Sequence, residues 1–369
     1  MIAAGRRSRG LSLIELLVAM TLGLLLLSGM ISVFASNRQS SALNAAVADM
    51  QESARYALDT LAADIRSAGF QGCLGVQSGS TVVQAKDAPT TRYLESAATG
   101  SAIGADGLWS PAPPPGFVPA NHDAVPGTHA IALQFGDAAT RLLAGQMLSG
   151  GTPSPTGTIR LTKPLEGASD GDLAIISNCE KADIFRITRV NAAGDELEHK
   201  VSGNLSGSLS TAYGNEMTLG QTAVMLFRSN VYYVGDTGQT NGQGDPIRAL
   251  YQQTLPYGDP DANPPTELVS GVENLRVAFG VRQAGDNLRY VPPDSPEFDP
   301  ERVEALQVGL LMASEDRIGF REDTRTYALA GQPVPAGDSE LAGATHAADR
   351  RHRLVFNTTV KIRNRRFRP

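Results

Sequence analysis

Hydrophobic and polar positions divide the chain into two regions of different period. Residues 11–35, LSLIELLVAMTLGLLLLSGMISVFA, are apolar on every face and carry one charge, Glu15. About 20 apolar residues suffice to cross hydrocarbon, so this run predicts a transmembrane helix. Polar residues enter after Ala35 without breaking the helical period: Leu43, Val47, Met50, Ala54, Leu58, Leu61, Ile65 and Ala68 fall on one face. No Pro or Gly interrupts residues 36–68, and Gly69 supplies a C-cap. The two stretches therefore predict one helix about 85 Å long at 1.5 Å per residue. Its first half is residues 11–35 and its amphipathic half residues 36–69. Asp49, Glu52, Asp59 and Asp64 lie off the apolar face, and Asp64 and Arg66 read as solvated helix charges. A coiled coil would ask for clearer e and g charges over more turns, so the face is expected to dock on a β-domain.

Beyond residue 70 the period shortens to two. Strand-like runs are HAIALQF (129–135), TIRLTK (158–163), DLAIISNC (172–179), DIFRITRV (183–190) and TAVMLFRSNVYYV (222–234). ENLRVAFGVR (273–282), VEALQVGLLMAS (303–314) and LVFNTTVKIRN (354–364) follow. In the last, Leu354, Phe356, Thr358, Val360 and Ile362 alternate with mostly polar neighbours, as in a half-buried antiparallel strand. Residues 74–128, including PAPPPGF (111–117), read as a long excursion with little regular structure. A helix followed by strands predicts an α+β protein, with the helix packed on an antiparallel sheet head spanning residues 70–369.

Charge changes this picture at the amino end. Arg6, Arg7 and Arg9 precede the apolar run against a lone Arg38 after it, which places the amino end in the cytoplasm and the head outside it. A carboxylate in a bilayer is costly, about 2.5–3.5 kcal/mol at a helix centre, and Glu15 therefore needs a partner. A secretory signal would have an uninterrupted apolar core and a small-x-small site. Cleavage between Gly10 and Leu11 instead leaves the apolar run attached and creates an α-amine at Leu11, one helical turn from Glu15. Outside the cytoplasm the two cysteines, Cys73 and Cys179, would pair; they form no CxxC arrangement. The net charge of −6 argues against a general nucleic-acid binder.

RRSRG followed by LSLIELLVA resembles the type III signal of type IV pilins and type II secretion pseudopilins: a basic leader, Gly, an apolar residue, and Glu four positions on. Leu11 stands where the pattern usually has Phe. The resemblance implies that residues 1–10 are a leader removed by a prepilin peptidase, that Leu11 is N-methylated, and that Glu15 sets the axial register between subunits. The segment ESARYALDTLAADIRSAGFQGC (52–73) resembles the helix-to-head join of PilW-type minor pilins at Arg55, Asp64, Arg66, Gly69, Phe70, Gly72 and Cys73. That likeness implies a non-enzymatic subunit that helps prime type IV pilus assembly and sits at or near the tip. Implied partners are other minor pilins, the major pilin, a tip adhesin and the inner-membrane assembly platform. It further implies a Cys73–Cys179 bridge and an inner-membrane location before assembly, with the pilus on the cell surface afterwards. A J-type pseudopilin shares the signal and helix and is the first alternative.

An anchored periplasmic enzyme or binding module, the second alternative, finds little chemistry. His122, His129, His199, His346 and His352 form no HExxH or similar spacing. Asp236-Thr237-Gly238 has no second copy to make an aspartic dyad and reads as a turn after a strand. GQTNGQGD (238–245) lacks the Lys-Ser/Thr of a phosphate loop, and Asp259, Asp261 and Asn263 lack a distal Glu for calcium. No cofactor or metal is expected. The basic carboxyl end, Arg350, Arg351, Arg353, Lys361, Arg363, Arg365, Arg366 and Arg368, reads as a solvated strand edge.

Overall fold

The computed structural model describes residues 12–74, 80–86, 97–112, 124–254, 264–285, 287–337 and 345–364. One helix, Leu13–Ser67, runs through the predicted transmembrane and amphipathic stretches. The chain divides into two compact units, residues 1–49 and 50–369. In the first, the apolar side chains from Leu13 to Phe34 are exposed, and the helix is long and apolar enough to cross a membrane. Gly23 and Gly29 have open space around them.

In the second unit, Met50, Ala54, Ala57, Leu61, Ala62 and Ile65 are buried. Their spacing is the three-and-four step of the amphipathic pattern, and the small alanines let the helix lie close to what it covers. The helix ends where the sequence supplies its stop. Gly69 takes φ +77°, and a Cβ there would lie 2.8 Å from the Asn364 carbonyl oxygen. The Asn364 side-chain amide donates to the Arg66 carbonyl at 3.2 Å, satisfying one of the acceptors that a helix end leaves open.

The head is built mainly on two sheets. The larger follows the order Ser80–Val83, Lys181–Arg186, Leu173–Ser177, Ala223–Thr240, His129–Gly136, Ala98–Ile103, Trp109–Ser110. Pro246–Thr254 also pairs with the long strand Ala223–Thr240, which thus holds the sheet together. The second sheet has four strands in the order Leu288–Val291, Val272–Arg282, Val303–Ala313, Arg353–Lys361. All ladders in it are antiparallel. In the larger sheet Ser80–Val83 pairs in parallel with Lys181–Arg186, the one departure from antiparallel pairing among its named strands. His129 joins the two sheets: its Nδ1 lies 3.2 Å from the Val277 carbonyl oxygen.

Several expectations are corrected. Residues 98–103, within the expected excursion, form a full strand between two neighbours. Its sequence, ATGSAI, lacks the large β-branched residues that signal strands because there is no room for them: a Cβ on Gly100 would lie 2.6 Å from the Phe279 ring. Residues 183–190 are two strands, not one, since Ile187 and Thr188 bond elsewhere. Asp236-Thr237-Gly238 lies inside the strand Ala223–Thr240, where the register shifts between Asp236 and Thr240, and is not a turn. A bulge accommodates the positive φ of Gly238 without ending the pairing.

Candidate functional site

Two features draw on the residues singled out in the sequence. At the amino end the helix opens with Ser12-Leu13-Ile14-Glu15. The Ser12 backbone N–H donates to Glu15 Oε2 at 3.0 Å, and the Glu15 N–H donates to Ser12 Oγ at 3.2 Å. This reciprocal pair is a capping box, which satisfies two donors at the helix start. Glu15 is exposed, and the chain places no cation against it among the described residues. Gly10 and Leu11, the proposed cleavage and methylation positions, lie outside the described residues, as do His122, Asp259, Asp261, Arg365, Arg366 and Arg368.

The second feature is the join at residues 64–73, and here the structure overturns the solvated reading of Asp64. Its Oδ2 accepts from the Asn230 side-chain amide at 2.7 Å and from the Tyr232 hydroxyl, both on the long central strand. Burial raises the Asp64 carboxyl above its ordinary pKa, more than these two hydrogen bonds lower it. Burial and Asp64 together hold the Tyr232 hydroxyl far above its own range, so it stays a donor. A carboxyl raised by folding adds stability as pH falls through its folded pKa, and that contribution is lost as pH rises. Asp64→Asn is expected to stay within about 1 kcal/mol at neutral pH, because one amide oxygen can accept both bonds. It should also remove this acid-side gain. Asp64→Ala, which strands two donors, should cost about 1–3 kcal/mol. Thermal unfolding from mildly acidic to neutral pH checks all three; a loss in Asn as large as in Ala would refute the hydrogen-bond account.

Past Gly69 the chain is clamped. The Gly69 N–H donates to the Gln134 carbonyl and the Gly136 N–H to the Phe70 carbonyl, both 2.9 Å or shorter. Gly72 has φ +82°, and a Cβ there would meet Ser177 Oγ at 2.5 Å. Ser177 Oγ in turn donates to the Gln71 carbonyl. Cys73 and Cys179 are disulfide-bonded across 106 residues, fastening the join to the strand Leu173–Ser177. The glycines and cysteine of AGFQGC are thus fixed by backbone geometry and close approach.

Arg351 and Arg353 also depart from expectation, whereas Arg350, Lys361 and Arg363 are exposed as a solvated strand edge would be. Arg353 is fully buried, with Nε 2.6 Å from Glu273 Oε2 and Nη1 2.8 Å from Asp349 Oδ1. Arg351 Nε reaches Asp349 at 2.7 Å, and its Nη2 pairs with Glu273. Burial alone would raise Asp349, but Arg353 and Arg351 outweigh it and bring the carboxyl to about 2. A strand edge in solvent would give neither the burial nor the pairing. The signal for this cluster was Glu273, an acid at the start of the apolar run VENLRVAFGV, which has to find a cation when buried.

His129, His199 and His346 are hydrogen-bonded to backbone carbonyls within the head. Arg276 Nη1 lies 2.7 Å from His129 Nε2, and His129 Nδ1 faces the Val277 backbone, 3.1 Å from its nitrogen and 3.2 Å from its carbonyl oxygen. Burial, with Arg276, lowers His129 to about 3 and keeps it neutral. His199 Nε2 meets the Gly157 carbonyl and His346 Nε2 the Arg325 carbonyl. Among the described residues no three His, Cys, Asp or Glu side chains are grouped to hold a metal.

A long amino-terminal helix with an exposed apolar start, continuing into a sheet-built head whose join is fastened by a disulfide, is the architecture of a pilin-like subunit. Comparison with known families refines that class. Residues 5–31 match the prokaryotic N-terminal methylation motif, and residues 231–364 match Type IV Pilus-assembly protein W. Among solved structures the chain is similar to the type IV-like pilin TTHA1219 from Thermus thermophilus, at 23% identity. That likeness covers 38% of this chain and 80% of the other, with a TM-score of 0.20, too low to carry an argument. None of the curated proteins matches the chain.

Proposed function

We propose that the chain is a structural, non-enzymatic minor pilin that helps prime type IV pilus assembly and sits at or near the tip. The observation that carries this is the pairing of the methylation motif, at the start of an exposed apolar helix, with a PilW-like head. In this reading a prepilin peptidase removes residues 1–10, Leu11 is N-methylated, and residues 11–35 anchor the subunit in the inner membrane. The excess of Arg6, Arg7 and Arg9 over Arg38 favours a cytoplasmic amino end and a periplasmic head, where the disulfide is chemically at home. Glu15, freed from its cap, pairs with the terminal amine of a neighbouring subunit as it leaves the membrane. The partners are sibling minor pilins, the major pilin, a tip adhesin and the inner-membrane assembly platform, and the assembled subunit is carried to the cell surface.

Peptide mass spectrometry on sheared surface fibres and on the matching membrane fraction tests this reading. A peptide beginning at methylated Leu11 is expected in the fibres. Mature protein confined to membranes would favour a pseudopilin, and an uncut amino end in both fractions would defeat either assignment.

A further inference from the structure

A cavity of about 280 Å³ opens in the head beside the buried arginine cluster. Among the described residues its charged lining is Asp245, Arg248, Glu273, Arg317, Asp349 and Arg351. Five of these six are committed to one another or to Arg353. Arg317 forks onto Asp245, with Nε 2.8 Å from Oδ2, and Arg351 bridges Asp349 and Glu273. Arg353 closes the cluster from behind, on Glu273 and Asp349.

Arg248 is different. It stands opposite Asp236 across the ladder between Ala223–Thr240 and Pro246–Thr254 and makes no side-chain hydrogen bond or ion pair with a described residue. It is half-buried and lines the cavity. Burial lowers the Arg248 pKa despite the nearby charges of Glu273 and Asp236, with Arg351 and Arg353 adding to the effect. The cavity therefore presents one guanidinium fork whose charge is under-compensated.

The lining also restricts what could complete it. A guanidinium fork matches the two oxygens of a carboxylate. Three fixed carboxylates in the same wall oppose a second negative charge, and their remaining lone pairs accept from hydroxyl groups. The volume lies just below the usual range for ligand pockets, about 300–1,000 Å³, which suits a single sugar ring.

We propose that this cavity binds a singly charged, hydroxyl-rich carboxylate of the size of one monosaccharide, a uronic acid, with Arg248 holding its carboxylate. The ligand is either the free sugar or the end residue of an acidic polysaccharide. The site is independent of the pilin assignment and stands or falls separately from it.

Isothermal titration of the full chain in detergent tests it with D-glucuronate, D-glucose and inorganic phosphate. Saturable binding of glucuronate is expected, with glucose and phosphate weaker by about tenfold or more, the effect of losing a hydrogen bond to a charged group. Arg248→Gln should weaken glucuronate by the same factor without moving the unfolding midpoint, since the side chain makes no hydrogen bond or ion pair with another described residue. Ala348→Trp, which fills the lining at an exposed position, should do likewise with the ion pairs intact. Absence of saturable glucuronate binding, undiminished binding in either variant, or phosphate binding as tightly as glucuronate would overturn the proposal. A glucuronate trimer binding as well as the monomer would support a polysaccharide end as the source, and its exclusion the free sugar.

Discussion

Arg353→Met lowers the stability of the head by about 3–5 kcal/mol, the loss expected when one member of a buried ion cluster is removed and its partners stay charged. The side chain is fully buried and holds Glu273 through two nitrogens and Asp349 through a third. Methionine fills a comparable volume, so the loss comes from Glu273 and Asp349 and not from a cavity. Arg351 still reaches both acids, which places the effect toward the lower end of the range. Urea unfolding followed by the fluorescence of Trp109, the single tryptophan, measures it. Trp109 packs edge-on against Tyr233 in the larger sheet and reports the head alone. Asp349 gives a second signature. Its depressed carboxyl contributes stability above its ordinary 3.8 that is lost as pH falls toward about 2. In Arg353→Met that acid slope should flatten. A loss below about 1 kcal/mol, the range of exposed pairs, would show the cluster to be solvated after all.

This cluster marks where sequence reading reaches its limit. The helix was legible because one face repeats from Leu43 to Ala68 without Pro or Gly, and local pattern alone decides such an element. The strands Val272–Arg282, Val303–Ala313 and Arg353–Lys361 were legible for the same reason, each carrying a long apolar or alternating run. Ala98–Ile103 was not, because its small residues are dictated by Phe279 from another sheet, a contact no local window contains. Asp64 and Arg353 were misread for a related reason. Each sits in a segment whose neighbours suggest solvent, and the partners that bury them, Asn230 and Tyr232 in one case and Glu273 in the other, lie 80 or more residues away. At the amino end the Ser12-x-x-Glu15 spacing is itself the local signature of the capping box.

The role proposed for Glu15, beside the cap it forms, makes the strongest test of assembly. If its part is only to cap the helix, then Ser12→Ala and Glu15→Ala each remove one of the two reciprocal hydrogen bonds and should have similar effects, about 0.5–2 kcal/mol of helix stability each. If instead the carboxylate is needed by the neighbouring subunit's amine, the two variants separate. Ser12→Ala keeps the carboxylate and the backbone N–H that donates to it, losing only the Ser12 Oγ acceptor, so incorporation into fibres should stay within about twofold of the parent. The lost cap is worth only about 1 kcal/mol, and a long helix tolerates fraying in its first turn. Glu15→Ala removes the only acidic group of the apolar run, so the mature protein should still accumulate in the membrane fraction while its amount in sheared fibres falls by tenfold or more. An ion pair in a medium of low dielectric is worth at least about 1.4 kcal/mol, which corresponds to that factor. Immunoblots of both fractions, with each variant as the sole source of the protein, give the ratio directly. Equal losses in the two variants would reduce Glu15 to a cap, and normal incorporation of Glu15→Ala would remove it from assembly altogether.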